Sequence, residues 1–188
     1  LNWADNSSIS LLLTLILQSF AILSVVFLSI FNLYTFVTNP RDFIKKLNTT
    51  QTLLGLDFGD KTIGLASSDK TRTIATPLKT IKRKSINKDL IELQKIIVEY
   101  DVGGLVLGLP LNLNGEENIR TEKMRIFARI IEKMLQIEIT FYDERYSSDV
   151  IFKELRRNSI SASKIKKKIN HMTAAYILQG FLDNAVNS

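Results

Sequence analysis

Asp57 and Glu144 are the two carboxylates whose sequence surroundings suit chemistry. Asp57 ends the apolar run Leu53-Leu-Gly-Leu-Asp57, and Phe58-Gly-Asp-Lys61 then turns the chain into a second apolar run, Thr62-Ile-Gly-Leu-Ala-Ser67. The two runs read as a β-hairpin, which places Asp57 late on a buried strand. An ionised side chain there is costly unless it meets a cation or several hydrogen-bond donors. The alternative is an Asp that caps its own turn through backbone amides, and this stretch alone leaves both open. Glu144 falls in Asp143-Glu-Arg145, just after the alternating run Ile137–Tyr142. Open α/β sheets gather their sites at the carboxyl ends of strands, so two acids far apart in sequence could converge.

The elements that must position them follow from periodicity. Asn39-Pro40 opens a short helix whose Phe43, Ile44 and Leu47 can dock on the body. After the hairpin, Thr73–Ile81 is a third β-rich run, and Pro77 confines it to an edge or a bulge. Leu90, Leu93, Ile96 and Ile97 recur at helical spacing within Asn87–Tyr100, and Gly103–Pro110 is a short apolar run typical of a strand buried on both faces. Asn112–Asn118 reads as a polar loop, and Met124, Phe127, Ile130, Ile131 and Met134 as the inner side of a further helix. Beyond Glu144 the sequence predicts a helix over Ser148–Asn158, a polar and basic linker over Ser159–Lys168, and a last helix over Asn170–Asn184 with Ala174, Ile177, Leu178 and Phe181 inward. Three β-rich runs, then helix, strand, helix and strand, describe a mixed sheet with an antiparallel meander and a parallel half.

Composition removes several function classes. The 188 residues contain no cysteine, which excludes disulfides, thiolate metal sites and cysteine nucleophiles, and the single histidine, His171, excludes a histidine-rich zinc site. The formal net charge is +6; Asp5 is the one charged residue among the first 40, so residues 41–188 carry +7. That excess makes a polyanion a plausible partner.

The uncharged interval before Arg41 is mostly Leu, Ile, Val and Phe from Leu11 to Val37, long enough for a transmembrane helix. Arg41, Lys45 and Lys46 follow it closely, so the positive-inside rule leaves the body in the cytoplasm. It is too long for the apolar region of a signal peptide and has no basic stretch before it. The other reading is an extension upstream of a true start, since the chain opens on Leu1 and its first methionine is Met124. Residues 1–40 are thus a hydrophobic N-terminal segment, and 41–188 are the body.

From about Leu53 to Asn184 the body resembles the YqgF family, also called RuvX, of RNase H-like nucleases. The resemblance lies in Leu56-Asp-Phe-Gly with Lys61-Thr-Ile-Gly64, Leu107-Gly-Leu-Pro-Leu-Asn112, Asp143-Glu-Arg-Tyr-Ser147 and Ala174-Ala-Tyr-Ile-Leu-Gln179. Each is weak singly; four in order are specific. The resemblance implies an RNase H-like mixed five-stranded sheet flanked by helices, here preceded by a hydrophobic N-terminal helix. It implies a cytoplasmic enzyme that matures the 5′ end of 16S ribosomal RNA, or a resolvase of Holliday junctions and other branched DNA. It also implies Mg²⁺ or Mn²⁺ held by three acidic residues. Two fall on Asp57 and Glu144; the third belongs at the start of the last helix, where this chain has Asn170. An amide oxygen can ligate a cation without supplying charge, so Asn170 implies reduced activity.

The chemistry is consistent with that family. Phosphodiester hydrolysis with metals needs clustered oxygen ligands that hold the cations, activate a water and stabilise the leaving oxygen. Gly108, on a strand between those of Asp57 and Glu144, would leave room for a phosphate. Arg145 could contact phosphate or pair with Asp143. Lys61 reads as an exposed turn residue, with phosphate contact as its alternative. The basic segments Lys82-Arg83-Lys84, Arg156-Arg157 and Lys164–Lys168, including Lys166, Lys167 and Lys168, could line the path of a nucleic-acid backbone. His171 lies about 100° around the helix from Asn170 and reads as a neighbour or cap rather than a replacement ligand. Two other classes compete: a nucleic-acid-binding protein with a decayed metal site, and a phosphotransferase of the sugar-kinase or actin-like kind. The body has room for only one of that group's two lobes.

Overall fold

The hairpin forms where the apolar runs predict it. In the computed structural model, β1 (Thr52–Phe58) and β2 (Thr62–Ser68) pair antiparallel, with Asp57 opposite Gly64. The structure describes residues 18–19, 39–112, 115–143 and 162–187, with side chains of the last segment from 169 to 186. The chain divides into two compact units, Leu1–Phe36 and Val37–Ser188, and the sheet with its helices belongs to the second. Apart from residues 18–19, the hydrophobic segment expected at 11–37 lies outside the described residues, as do the helix expected at 148–158, Glu144 and Arg145. Among the described residues no helix is long and apolar enough to cross a membrane.

Strand β3 (Ala75–Lys82) pairs antiparallel with β2 at the edge of the sheet. Pro77 lies opposite Ala66, where the register shifts between Leu65 and Ala66, so this residue without an N–H sits at both an edge and an irregularity. Strands β4 (Val102–Leu109) and β5 (Glu138–Asp143) add in parallel on the other side of β1, giving the order β3-β2-β1-β4-β5. This is the mixed five-stranded, RNase H-like sheet. Parallel strands need crossovers, which α2 (Ile86–Glu99) and α3 (Ile119–Leu135) supply. Both helices keep the expected inner residues Leu90, Leu93, Ile96, Met124, Phe127 and Ile131, whereas Met134, in the last turn of α3, is 62% exposed. The stripe on α3 is completed by Thr121 and Ala128 instead.

The opposite face carries α1 (Pro40–Lys46) and α4 (Ala162–Asn187). Phe43, Leu47, Leu53, Ala66, Val106, Ala174, Ile177, Leu178 and Phe181 form one core there, with the Phe43 ring edge-on to Phe181 at 5.9 Å. Residues 162–168, read from sequence as part of a linker, are helical. Lysine is a good helix former and the stretch has no Gly or Pro to stop the helix. Asn170 therefore lies inside α4, not at its start.

Helix α4 rests on the hairpin through glycines. A Cβ on Gly55 would lie 2.7 Å from Leu178 Cβ and 2.8 Å from the Ala174 carbonyl; one on Gly64 would lie 2.0 Å from the Asn170 carbonyl. Backbone cannot swing away as a side chain can. We expect Gly64→Ala to lower the urea-unfolding free energy by about 1–3 kcal/mol through overpacking. An unchanged midpoint would show that α4 does not lie against β2 as described.

Candidate active site

Alternation along β1 sets the direction of Asp57. Gly55 meets α4, so Asp57, two residues on, points to the same face at the carboxyl end of the strand. The turn that follows is closed by the Gly59 N–H donating to the Thr62 carbonyl at 2.8 Å. Asp57 takes no part in it: among the described residues its carboxylate has no hydrogen-bond or ion-pair partner. The capping alternative therefore fails. Asp57 is partly buried, and burial pushes its carboxyl from 3.8 up to about 6. With Gly59, Asp60, Pro110, Arg120 and Lys123 it lines a cavity of about 220 Å³.

Two glycines flank this carboxylate. Gly64 is its direct partner on β2; on β4, Gly108 follows Leu107, the partner of Leu56. Across from Gly108 on β5 stands Tyr142, and Asp143 pairs with Leu109. The chain reaches Glu144 one residue later.

Asn170 is brought to the same neighbourhood by the contact of its peptide with Gly64. Its Nδ2 donates to Thr62 Oγ1 at 2.9 Å, and its Oδ1 accepts from no described residue. Asp57 and Asn170 thus present uncommitted oxygen acceptors from adjoining elements. That donor set fits a hard divalent cation, which prefers carboxylate and amide oxygens. Among the described residues no cluster of three or more His, Cys, Asp or Glu side chains occurs. His171 instead faces β3, with Nδ1 3.2 Å from Thr80 Oγ1, as its place on the helix suggests.

The basic residues separate into two groups. Arg83 is held inside the protein: its guanidinium lies 4.2 Å over the Phe58 ring, donates to the Gly59 carbonyl at 3.0 Å and pairs with the buried Asp89 at 3.3 Å. It fixes the turn that follows Asp57 rather than projecting toward a ligand. Lys61, Lys82 and Lys84 are exposed around the same turn. Lys166, Lys167 and Lys168 belong to α4, and their side chains lie outside the described residues.

Arg120 and Lys123 escaped the sequence reading. The Asn118 side chain accepts from the backbone N–H groups of Arg120 (2.8 Å) and Thr121 (3.2 Å), while its amide and the Thr121 hydroxyl both donate to the Pro110 carbonyl. The start of α3 is thereby tied to the end of β4, and both cations face the Asp57 cavity. Lys123 pairs with Asp60 at 3.4 Å in an exposed contact; Arg120 has no side-chain partner among the described residues. The overlooked signal is two cations early in a helix, where the macrodipole disfavours positive charge.

The strand order β3-β2-β1-β4-β5, with an acid at the end of the central strand, is that of an RNase H-like α/β domain. The profile of the RuvX family, described as Holliday junction resolvase, matches residues 51–184, and the chain belongs to that family. A Rhodobacter capsulatus protein named as a candidate pre-16S rRNA nuclease is 43% identical over 142 residues, covering 76% of this chain and 89% of its own. A Ruegeria pomeroyi protein of the same name is 42% identical over 146 residues, covering 78% and 95%. Among solved structures, Thermus thermophilus RuvC in complex with a Holliday junction aligns with TM-score 0.47 at 9% identity, over 73% of this chain and 98% of that one. The yeast mitochondrial Holliday junction resolvase aligns with TM-score 0.44 at 11% identity, over 78% and 84%.

The Asp57 carboxyl couples folding to pH. Its native pKa of about 6 lies above the ordinary 3.8, so the folded protein holds a proton that the unfolded chain releases. This contribution favours folding below about pH 4 and is lost as pH rises through about 6, a swing of at most about 3 kcal/mol. In metal-free buffer Asp57→Asn should therefore be more stable than wild type at pH 7, with the difference shrinking toward pH 4. Urea midpoints of the two proteins that move in parallel across that range would remove the desolvated carboxylate.

Proposed function

We propose that this protein is a metal-dependent endonuclease that hydrolyses phosphodiester bonds in structured RNA, acting at the 5′ end of pre-16S rRNA. One observation carries the reading: a partly buried carboxylate without a partner among the described residues, Asp57, in a cavity whose rim carries Arg120 and Lys123. An unpaired acid beside two cations suits a bound metal facing a phosphate. Membership of the RuvX family and the names of the relatives support the same chemistry.

Asp57, Glu144 and Asn170 would hold Mg²⁺ or Mn²⁺, with Asn170 contributing an uncharged oxygen. The bound metal supplies an activated water and charge for the departing oxygen. Arg120 and Lys123 draw the phosphate into the cavity and orient it; Lys123 can exchange Asp60 for a phosphate because an exposed pair is worth only about 0–1 kcal/mol. Gly108 leaves one flank of Asp57 without a side chain, and Gly64 lets the Asn170 peptide approach on the other. Lys61, Lys82, Lys84, Arg145 and Lys166–Lys168 extend positive charge along the strand. The Arg83 side chain, held by Asp89 and Gly59, keeps the turn in place. Hydrolysis joins the water oxygen to phosphorus, breaks one P–O ester bond and leaves the proton on the released oxygen.

The same phosphates occur in branched DNA, and the description of the family as Holliday junction resolvase favours that as a second substrate. Cleavage of precursor rRNA set against four-way junctions separates the two. We place the activity in the cytoplasm and in residues 41–188, with residues 1–40 dispensable for the site; a chain beginning near Asn39 that kept full cleavage would support this.

Asp57→Asn and Glu144→Gln should each abolish metal-dependent cleavage of precursor rRNA with an unchanged circular dichroism spectrum. Wild-type rates in both would remove the metal reading. Affinity for RNA should fall steeply between about 50 and 200 mM salt, as counterion release requires.

Asn170→Asp tests the amide. The Thr62 hydroxyl can turn to donate to the new carboxylate, so the contact survives with reversed polarity. Metal affinity measured by calorimetry and cleavage rate should both rise; the wild type should work better with Mn²⁺ than with Mg²⁺, and that difference should narrow in the variant, because Mg²⁺ depends more on charged oxygen ligands. Unchanged affinity and rate would take Asn170 out of the site.

A further inference from the structure

The cavity around Asp57 does not end at Lys123. Between α2 and α3 lies an apolar groove of about 280 Å³ lined by Phe58, Ile86, Ile126 and Ile130, with Arg83 and Lys123 at its polar margin. Ile86 is 43% and Ile126 52% exposed, on helix surfaces where solvent ordinarily selects polar residues. Phe58, Asp60 and Lys123 line both this groove and the Asp57 cavity, so the two are continuous.

One is cationic and contains an acid without a partner among the described residues; the other is apolar. At its polar margin the Arg83 guanidinium, 4.2 Å over the Phe58 ring, is held in place by the Gly59 carbonyl and Asp89. A nucleotide has the same division, a charged phosphate joined to a base with apolar faces. Bases inside a duplex are stacked on their neighbours and cannot enter such a groove. We infer that the groove receives an unpaired base of the bound strand, next to the phosphate held at the Asp57 cavity. This rests on the nuclease reading and narrows its substrate to nucleic acid with an unpaired nucleotide beside the cut. The described lining is mostly apolar, with Phe58, Ile86, Ile126, Phe127 and Ile130, so the contact is with the face of the base and tolerates sequence, as stacking platforms do.

The experiment compares a fluorescent single-stranded RNA of roughly six nucleotides with the same ribose-phosphate strand lacking every base. Binding to the wild-type chain is followed by anisotropy in EDTA, so no cleavage intervenes. The base-bearing strand should bind at least about fivefold more tightly. Ile126→Ser combined with Ile86→Ser, at exposed positions, should erase that advantage and leave the base-free strand's affinity unchanged. The inference falls if the two strands bind equally, if neither binds, if the double variant weakens both alike, or if a blunt duplex shows the same dependence on the two isoleucines. Failure of the nuclease reading looks different. A strand held in this way but never cut by the metal-loaded protein keeps the groove and removes the hydrolysis; cutting without any dependence on the base removes the groove alone.

Discussion

The backbone of α4 lies directly on the β1–β2 hairpin, and the site depends on that approach. Asn170, Ala174 and Leu178 are spaced four apart and form one ridge of the helix. That ridge meets the hairpin at Gly64 and Gly55, where neither strand has a side chain. The contact sets the depth of the helix on the sheet and its rotation about its own axis. Because Gly64 is the direct partner of Asp57, the first member of the ridge arrives beside the acid. A side chain at Gly64 would push Asn170 outward and separate the two oxygen donors.

Burying the Asp57 carboxylate weakens the native state, and the surrounding structure compensates. On the far face of the sheet, Phe58 stacks on Phe127 at 4.2 Å and carries Arg83 above it. Arg83 in turn ties the turn to Asp89, whose second oxygen accepts from the Lys84 N–H at 3.1 Å. At the end of β4, the Asn118 and Thr121 side chains both close on the Pro110 carbonyl. These are short polar contacts at loop ends, where the chain would otherwise have most freedom. They confine the turn after Asp57 and the start of α3 independently of any charge in the cavity.

What the sequence made legible was local. The hairpin, the edge position of Pro77 and the docking of Phe43 and Leu47 all follow from periodicity and from the missing N–H of proline. The place of Asp57 at a strand end followed too, but its isolation did not, since a capping Asp and a lone one have the same neighbours in sequence. The lysines before Asn170 look like a linker in sequence, which puts Asn170 at a helix start; helix propagation through them is favoured once α4 is docked on the sheet. Arg83 looked equivalent to Lys82 and Lys84, yet only packing against Phe58 and Asp89, on two other elements, separates it from them. Arg120 and Lys123 became part of the site through the Pro110 contacts, which join residues that periodicity treats as separate elements.

The two acids of the cavity differ in a way that divides its labour. Asp60 and Lys123 are 71% and 57% exposed and pair at 3.4 Å, so water already solvates both and separating them costs little. Asp57 is desolvated and has no partner among the described residues, so a cation placed beside it would recover interaction energy that water does not supply. In the proposed reaction a phosphate entering the cavity would compete with the weak pair for Lys123 and leave Asp57 to the cation. Positive charge on α3 and negative charge on β1 stay apart because the first already has an exposed partner and the second is held back by burial. If Asp57 reached Lys123 instead, the pair would neutralise itself and the cavity would attract neither ion. The Pro110 contacts hold the start of α3 at the end of β4, the strand beside β1, and so fix where the cations of α3 stand relative to the fold.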